Sequence, residues 1–157
     1  MKSALRIAAL VAAFLPFASA VQAQPVTQAE AAAFFKRMAE MNAKFDARYP
    51  ELYSPEATVI GRKQDGDKTV VTGAQWQQLL TFGAEKAKKR NDSSTFSNMR
   101  YEAQGERMKI TADRYAVRKC YTDSGYYMIV GRQGKGGPLW IEEESFELSP
   151  PNQCKSQ

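Results

Sequence analysis

The sequence predicts an α+β domain in which two helices precede most of a sheet. Apolar residues recur at helical spacing in two stretches of the first half of the chain. The second half instead contains four strand-like segments, separated by short breaks rich in turn-forming residues. The chain has no internal repeat and no linker, so residues 24–157 are expected to form a single domain after an N-terminal export signal.

The first 23 residues have the pattern of a secretory signal peptide. Lys2 and Arg6 form a charged start, 7–17 is an apolar run, and small residues follow up to Ala23, after which cleavage is expected. The run is short for a membrane span, although an uncleaved anchor remains an alternative. The segment therefore predicts a periplasmic or secreted protein with no stable membrane span.

The charge balance does not indicate a nucleic-acid partner. Removing Lys2 and Arg6 lowers the number of basic residues from 22 to 20, against 17 acidic ones, so the mature chain carries about +3. Nucleic-acid-binding domains usually carry a much larger and clustered positive charge.

Cys120 and Cys154 are the two cysteines of the sequence, and both follow the export signal. In an oxidising compartment an even pair favours one disulfide, here between the end of a strand and the C-terminal tail. Two free thiols or a metal pair are the alternatives. Because the sequence contains no histidine, two cysteines make a poor ligand set for zinc or copper, and neither a metal nor a cofactor is expected.

The first helix is predicted to begin at Thr27, which forms a capping box with Glu30. Pro50 and Pro55 end it or divide it into a long piece and a short turn. An apolar stripe typical of core packing runs along this helix: Phe34, Met38, Met41, Phe45 and Tyr49.

A hairpin and a second helix follow. Strands are predicted at 57–62 and 68–72, joined by a turn at 64–67. The second helix starts near Ala74 and ends in cations that suit the helix dipole, with an acidic partner surface as the alternative. One apolar face of this helix is expected to hold Trp76, Leu79, Leu80 and Phe82.

Four consecutive strands are predicted next, at 94–102, 108–121, 126–132 and 139–147. Their short connections, "QGE", "TDSG" and "RQGKGG", are typical of hairpins, so the strands form an antiparallel meander.

This order of elements resembles the nuclear transport factor 2 (NTF2)-like superfamily, and within it the SnoaL-like exported domains. The residues that carry the resemblance are "LYSPEATVIGRK", "TGAQWQQLL", "MRYEAQGERMKITADRYAVRKCYT" and "GGPLWIEEESFEL". It implies a curved, cystatin-like antiparallel sheet wrapped around the helices, a cone whose open end often holds a pocket. It also implies dimers packed through the sheet in many members, and enzymes with a carboxylate base in the cone, often joined by histidine or tyrosine. Since this chain has no histidine, a histidine–aspartate mechanism is excluded, and a base would have to be Asp or Glu.

The stretch "PLWIEEESFEL" places three glutamates inside an apolar strand. Strict alternation puts Glu142 and Glu144 on one face with Trp140 and Phe146, and Glu143 on the other. A neighbouring strand carries Arg114 and Arg118 on one face.

Two interpretations of these charges remain open. In the first, arginines and glutamates line a polar cavity with aromatic walls that suits an organic ligand. The candidate ligand-binding residues are then Arg114, Tyr115, Arg118, Tyr127, Trp140, Glu142 and Glu144, with Glu142 as the candidate base. In the second, they form cross-strand ion pairs on a solvated or dimer-facing surface.

The resulting functional hypothesis is an exported, non-catalytic module that binds a small organic molecule or a protein of the cell envelope. One alternative is an isomerase- or dehydratase-like enzyme with a carboxylate base in the cone. The other is a protein-interaction or assembly domain with a filled cone and an apolar sheet face.

Overall fold

A computed structural model describes residues 24–148 and 150–154, so the predicted signal segment lies outside the described residues. The domain is α+β, as predicted. Short 3-10 turns lie at Tyr49–Leu52 and Val117–Lys119. The helices and strands, in chain order, are α1 (Gln28–Lys44), β1 (Tyr53–Arg62), β2 (Lys68–Thr72), α2 (Gly73–Lys89), β3 (Ser94–Gln104), β4 (Arg107–Ala116), β5 (Tyr121–Arg132) and β6 (Leu139–Glu147).

The six strands form one curved, unclosed sheet in the order β2-β1-β6-β5-β4-β3. The four hairpin pairs are antiparallel, whereas β1 and β6 run parallel, so the sheet is mixed. The last strand therefore returns beside the first one. This return brings residues from the beginning and the end of the chain together at the middle of the sheet. No helix in the part of the chain that the structure describes is long and apolar enough to cross a membrane.

Both helices begin with a capping box. The predicted one at α1 is present, since Glu30 N–H donates to Thr27 Oγ1 at 3.3 Å and Thr27 N–H donates to Glu30 Oε2 at 2.9 Å. At α2 the same reciprocal pair is made by Thr72 and Gln75. Gly73, the first residue of α2, lies so close to the Ser54 carbonyl that any Cβ would overlap it. The start of α2 is thereby packed directly on β1.

The apolar residues of α2 do not share one face. Trp76 and Leu80 pack against the core, whereas Leu79 and Phe82 are 55% and 86% exposed. The prediction of a single apolar face was wrong because residues 79 and 82 point to the solvent side of a helix whose other side meets the sheet.

The core fills the inner face of the sheet, which is the face that packs against the helices. From α1 it contains Phe34, Phe35 and Met38. From the sheet it contains Ile110, Met128, Val130 and Ile141, all fully buried. The same inner face also carries the polar residues described below, next to the core residues Tyr53, Tyr126 and Phe146.

The strand predicted over 108–121 is interrupted. β4 ends at Ala116, a 3-10 turn follows, and Cys120 adopts a left-handed conformation with φ 49°. The predicted turn at 122–125 instead belongs to β5, which begins at Tyr121. Arg118 consequently lies on a turn and does not continue the alternation of the strand that carries Arg114.

A β-bulge in β6 changes which glutamates face the core. Ile129 pairs with Glu143 and Val130 pairs with Ile141, which leaves Glu142 as an extra residue. A bulge of this kind shifts the alternation of side chains by one position. Ile141 and Glu144 therefore both face inward, at 0% and 4% exposure, and the expectation that Glu142 shares a face with Glu144 was wrong.

The predicted disulfide joins Cys120 to Cys154, with 5.0 Å between the two Cα atoms. Beside it, Gln153 N–H donates to the Lys119 carbonyl at 2.8 Å. The C-terminal tail is therefore fastened to the turn that follows β4. A cross-link of this type contributes about 2 to 4 kcal/mol of stability.

Asp123 joins three strands from a bulge in β5. Its carboxylate accepts a hydrogen bond from Arg62 Nη2 of β1 at 2.7 Å and one from the Glu147 N–H of β6 at 2.7 Å. It also accepts one from the Gly125 N–H at 3.0 Å. With a side chain only 5% exposed, Asp123 depends on these donors to compensate for its desolvation.

We expect Asp123→Asn to lower the free energy of unfolding by about 2 to 4 kcal/mol, because the substitution removes the charge that pairs with Arg62 and replaces one acceptor by a donor. Urea denaturation measures this loss. Asp67→Asn is the matched control, since Asp67 is 74% exposed and lies 4.0 Å from Lys63, and it should change stability by less than about 0.5 kcal/mol. Equal effects of the two substitutions would contradict the structural role of Asp123.

Candidate functional site

A cavity of about 370 Å³ lies on the inner face of the sheet, between the sheet and the two helices. This volume is within the usual range for small-molecule sites. Its walls come from α1, α2, the 3-10 turns, the four strands β1, β3, β4 and β6, and the C-terminal tail. The residues that define its chemistry are Tyr49, Tyr53, Trp76, Ser94, Arg114, Arg118, Lys119, Glu144 and Phe146.

The floor of the cavity is a buried carboxyl group held by tyrosines. Glu144 Oε2 accepts a hydrogen bond from the Tyr53 hydroxyl at 2.5 Å, and Oε1 accepts one from the Tyr126 hydroxyl at 2.8 Å. Tyr49 extends this network through a hydroxyl contact of 3.3 Å with Tyr53. Both carboxyl oxygens are thus engaged by phenol groups that are themselves buried.

Burial raises the pKa of Glu144 above its ordinary value. The hydrogen bonds from Tyr53 and Tyr126 and the positive charge of Arg114 lower that pKa and so oppose the shift without cancelling it. Burial also raises the pKa values of Tyr53 and Tyr126, and the neighbouring Glu144 adds to that effect. The tyrosines therefore remain neutral donors.

Arg114 reaches into the cavity from β4. Its Nε–H donates to Ser94 Oγ at 2.9 Å, and its guanidinium carbon lies 5.2 Å from the centre of the Phe146 ring. The same ring packs against Trp76, with 5.3 Å between the ring centres. The cation and the aromatic wall are therefore in direct contact on one side of the cavity.

Arg118 and Lys119 stand beside the cavity on the turn after β4. Arg118 Nε lies 3.1 Å from Asp92 Oδ2, and both side chains are partly exposed. Pro150 of the tail also borders the cavity, and the nearby disulfide fastens this tail to the turn. The mouth is consequently formed by covalently connected segments.

Three of the sequence-predicted site residues, Arg114, Arg118 and Glu144, border this one cavity. Glu142, the candidate base, lies elsewhere. Its carboxylate lies directly over Gly131, where a Cβ atom would otherwise be. It is 3.7 Å from Arg107 Nη1 and accepts a long hydrogen bond of 3.4 Å from Trp140 Nε1. The bulge places Glu142 on the outer face, which accounts for its distance from the site.

Three aromatic candidates also lie outside the cavity. Trp140 borders a separate surface depression. Tyr127 donates a hydrogen bond to Glu143 Oε1 at 2.6 Å on the outer face, and Tyr115 is 38% exposed. Strand alternation accounts for Tyr127 and Tyr115, because their neighbours in sequence, Tyr126 and Arg114, lie on the inner face.

Sequence reasoning did not identify Tyr49, Tyr53, Trp76 or Ser94 as site residues. Tyr49 begins the first 3-10 turn and Tyr53 directly follows it. Their hydrogen-bonded network with Glu144 depends on the parallel pairing of β1 with β6. The nearest signal in the sequence is the pair of tyrosines four residues apart around Pro50. Local periodicity alone could not connect them with a strand 91 residues further on.

Comparison with solved structures identifies the fold as NTF2-like, as the resemblance implied. The chain is similar to the yeast UBP3-associated protein BRE5, at 14% identity and a TM-score of 0.55, over 76% of this chain and 95% of that one. It is also similar to an NTF2-like protein of unknown function from Silicibacter pomeroyi DSS-3, at 10% identity and a TM-score of 0.53, over 74% and 91% of the two chains. A third similar structure is an NTF2-like protein of unknown function from Shewanella baltica OS155, at 13% identity and a TM-score of 0.50, over 80% of this chain and 98% of that one.

These identities establish the fold alone, because one fold hosts many functions. No protein-family model matches the chain, and no curated protein is significantly similar to it. Any statement about function therefore has to come from the residues of the cavity.

The raised pKa of Glu144 predicts a pH dependence of stability. Between the ordinary carboxyl pKa and the raised folded pKa, the folded state binds more protons than the unfolded state, so stability falls as pH rises through this window. We expect Glu144→Gln to remove this fall, so that the variant gains stability relative to the wild type as pH increases above about 4.5. Urea denaturation at a series of pH values measures the difference, and parallel curves for the two proteins would contradict a raised pKa.

Proposed function

We propose that this chain is an exported, non-catalytic module of the cell envelope that binds a small organic molecule in the cavity above Glu144. The observation that carries the proposal is the cavity of about 370 Å³, whose aromatic wall of Trp76 and Phe146 faces a fixed cation and a polar floor. Small-molecule sites typically combine an apolar lining with a few well-placed polar groups.

Hydrogen bonding at the floor supports binding over proton transfer. Both oxygens of Glu144 accept hydrogen bonds from tyrosines, and the residue is only 4% exposed. A general base has to reach the proton that it removes, with its lone pair directed at the substrate. Glu144 is nevertheless the carboxyl group with a raised pKa in the cavity, so the enzymatic alternative now rests on Glu144 in place of Glu142.

The open cavity also bears on the alternative of an assembly domain with a filled cone. That alternative predicts a filled cone, whereas the volume of about 370 Å³ beside Phe146 and Trp76 is open to a ligand. Envelope localisation is supported by the signal-like pattern of residues 1–23 and by the Cys120–Cys154 disulfide, since such bonds persist mainly in oxidising compartments.

Filling the cavity should abolish binding without unfolding the protein. Ala116 borders the cavity at the end of β4, and we expect Ala116→Leu to weaken the binding of 2-naphthalenemethanol, a neutral aromatic probe, by at least about tenfold because the added atoms occupy the site. Isothermal titration calorimetry on the mature protein measures this affinity.

The control is Ala103→Leu, which adds the same atoms at an exposed position of β3 and should leave the affinity unchanged. Circular dichroism establishes that both variants are folded. If Ala116→Leu binds the probe as well as the wild type does, the cavity is not the binding site.

Export predicts a defined N-terminus. When the full chain is produced in a Gram-negative host, we expect the protein to be recovered from the periplasm, with mass spectrometry giving Gln24 as its first residue. Replacing the apolar run at Leu10 and Val11 by two lysines should retain the chain in the cytoplasm with Met1 or Lys2 first. A wild-type chain that stays in the cytoplasm uncleaved would contradict export.

A further inference from the structure

We infer that the ligand is an organic carboxylate whose anionic group binds the two terminal nitrogens of Arg114 while its apolar body lies against Phe146 and Trp76. This inference rests on the proposed binding function and adds the chemical class of the ligand.

Arg114 differs from the other half-buried arginines of residues 24–148. Arg62 is paired with Asp123 at 2.7 Å, and Arg132 is paired with Glu30 at 2.5 Å. Arg114 is also partly buried, yet no carboxylate of the described residues lies within 4.0 Å of its guanidinium. A desolvated cation without a contact partner favours an anion supplied by a ligand.

The guanidinium of Arg114 is already held in position. Nε is fixed by Ser94 Oγ, and the plane is supported by the Phe146 ring. Neither Nη1 nor Nη2 makes a hydrogen bond to another described residue, so this end of the group presents two parallel donors. Such a fork matches the two oxygens of a carboxylate, and little side-chain entropy is lost when it binds.

Glu144 does not neutralise Arg114 by direct contact. Its two oxygens accept from Tyr53 and Tyr126, and it influences Arg114 only through the electric field across the cavity. Burial raises the pKa of Glu144, whereas the positive charge of Arg114 lowers it. Arg118 and Lys119 beside the cavity favour the approach of an anion, although Asp92 offsets part of the charge of Arg118.

The space next to Arg114 suits an apolar body. Phe146 contacts both the guanidinium and the Trp76 ring, and Phe96 and Leu80 also line the cavity. A carboxylate attached to a flat ring system would therefore place its charge on Arg114 and its ring along this wall. A purely inorganic anion would leave the aromatic wall without a partner.

The test compares two probes that share a ring system and differ in charge, namely 2-naphthoate and 2-naphthalenemethanol. Calorimetry on the mature protein should give tighter binding of 2-naphthoate. In Arg114→Gln we expect the affinity for 2-naphthoate to fall by about tenfold to a hundredfold, as for the loss of a charged hydrogen-bonded pair, with little change for the alcohol.

Arg107→Gln is the matched control, because Arg107 is half-exposed and lies near Glu142 on the outer face. Its affinities should equal those of the wild type. Arg114→Lys keeps the charge without the fork and should bind 2-naphthoate with intermediate affinity, which separates the loss of recognition from a loss of folding. Thermal unfolding of each variant provides the second check on folding.

Proton uptake gives an independent readout. An anion on Arg114 offsets the positive charge that lowers the Glu144 pKa, so binding should take up protons in the pH range where Glu144 titrates, while the neighbouring Tyr49, Tyr53 and Tyr126 stay neutral. Titrations in two buffers of different ionisation enthalpy measure this uptake, which should disappear in Glu144→Gln and be absent for the alcohol.

Each outcome decides between the two levels of the proposal. Equal affinities for the two probes in the wild type, or an unchanged preference for 2-naphthoate in Arg114→Gln, would overturn the carboxylate inference and leave the binding function intact. Binding of neither probe would overturn both. Tight binding of 2-naphthoate that survives Ala116→Leu would place the anion outside the cavity and overturn the assignment to Arg114.

Discussion

The arrangement of the site depends on one extra residue in β6. Because Glu142 has no partner in β5, the strand alternation shifts, and Ile141 and Glu144 both face the helices. Ile141 completes the apolar core, while Glu144, three residues later, forms the floor of the cavity. Without the bulge, Glu144 would lie on the same face as Glu142, where Arg107 and solvent are available, and the tyrosines of the inner face would lose their acceptor.

Burial of a carboxyl group is costly, and the surrounding residues are arranged to reduce that cost. Tyr53 comes from β1, Tyr126 from β5 and Glu144 from β6, so each hydrogen bond also connects neighbouring strands. A satisfied polar network at this position keeps a defined boundary between the packed core and the cavity.

Elements with a clear periodicity could be predicted from the sequence, and features that depend on pairing between distant strands could not. The Thr27–Glu30 capping box, the β6 boundaries and the disulfide follow from local patterns or from cysteine number, and the structure has all three. Alternation also put Arg114 on one face of its strand with Met108, Ile110 and Ala112, and the structure shows that this is the inner face. The bulge at Glu142, by contrast, leaves no mark in the sequence, because an extra residue is defined only relative to β5. For the same reason Glu142 was the candidate base predicted from the sequence, and Tyr53 was not among the candidates. The role of Tyr53 comes from the parallel pairing of β1 with β6.

The disulfide connects the proposed compartment of the protein with the geometry of its site. Cys120 ends the turn that carries Arg118 and Lys119, and Cys154 lies in the tail whose Pro150 borders the cavity. The hydrogen bond from Gln153 to the Lys119 carbonyl adds a second connection between the same segments. Terminal segments fray unless they are fastened, so in a reducing compartment this side of the cavity would lose its main constraint. The deeper part of the site, with Arg114 on Phe146 and Glu144 beneath the tyrosines, is held by strands and does not depend on the tail. An oxidising environment therefore matters more for the mouth of the cavity than for its floor. A binding module that takes up its ligand outside the cytoplasm would benefit from a fixed mouth of this kind.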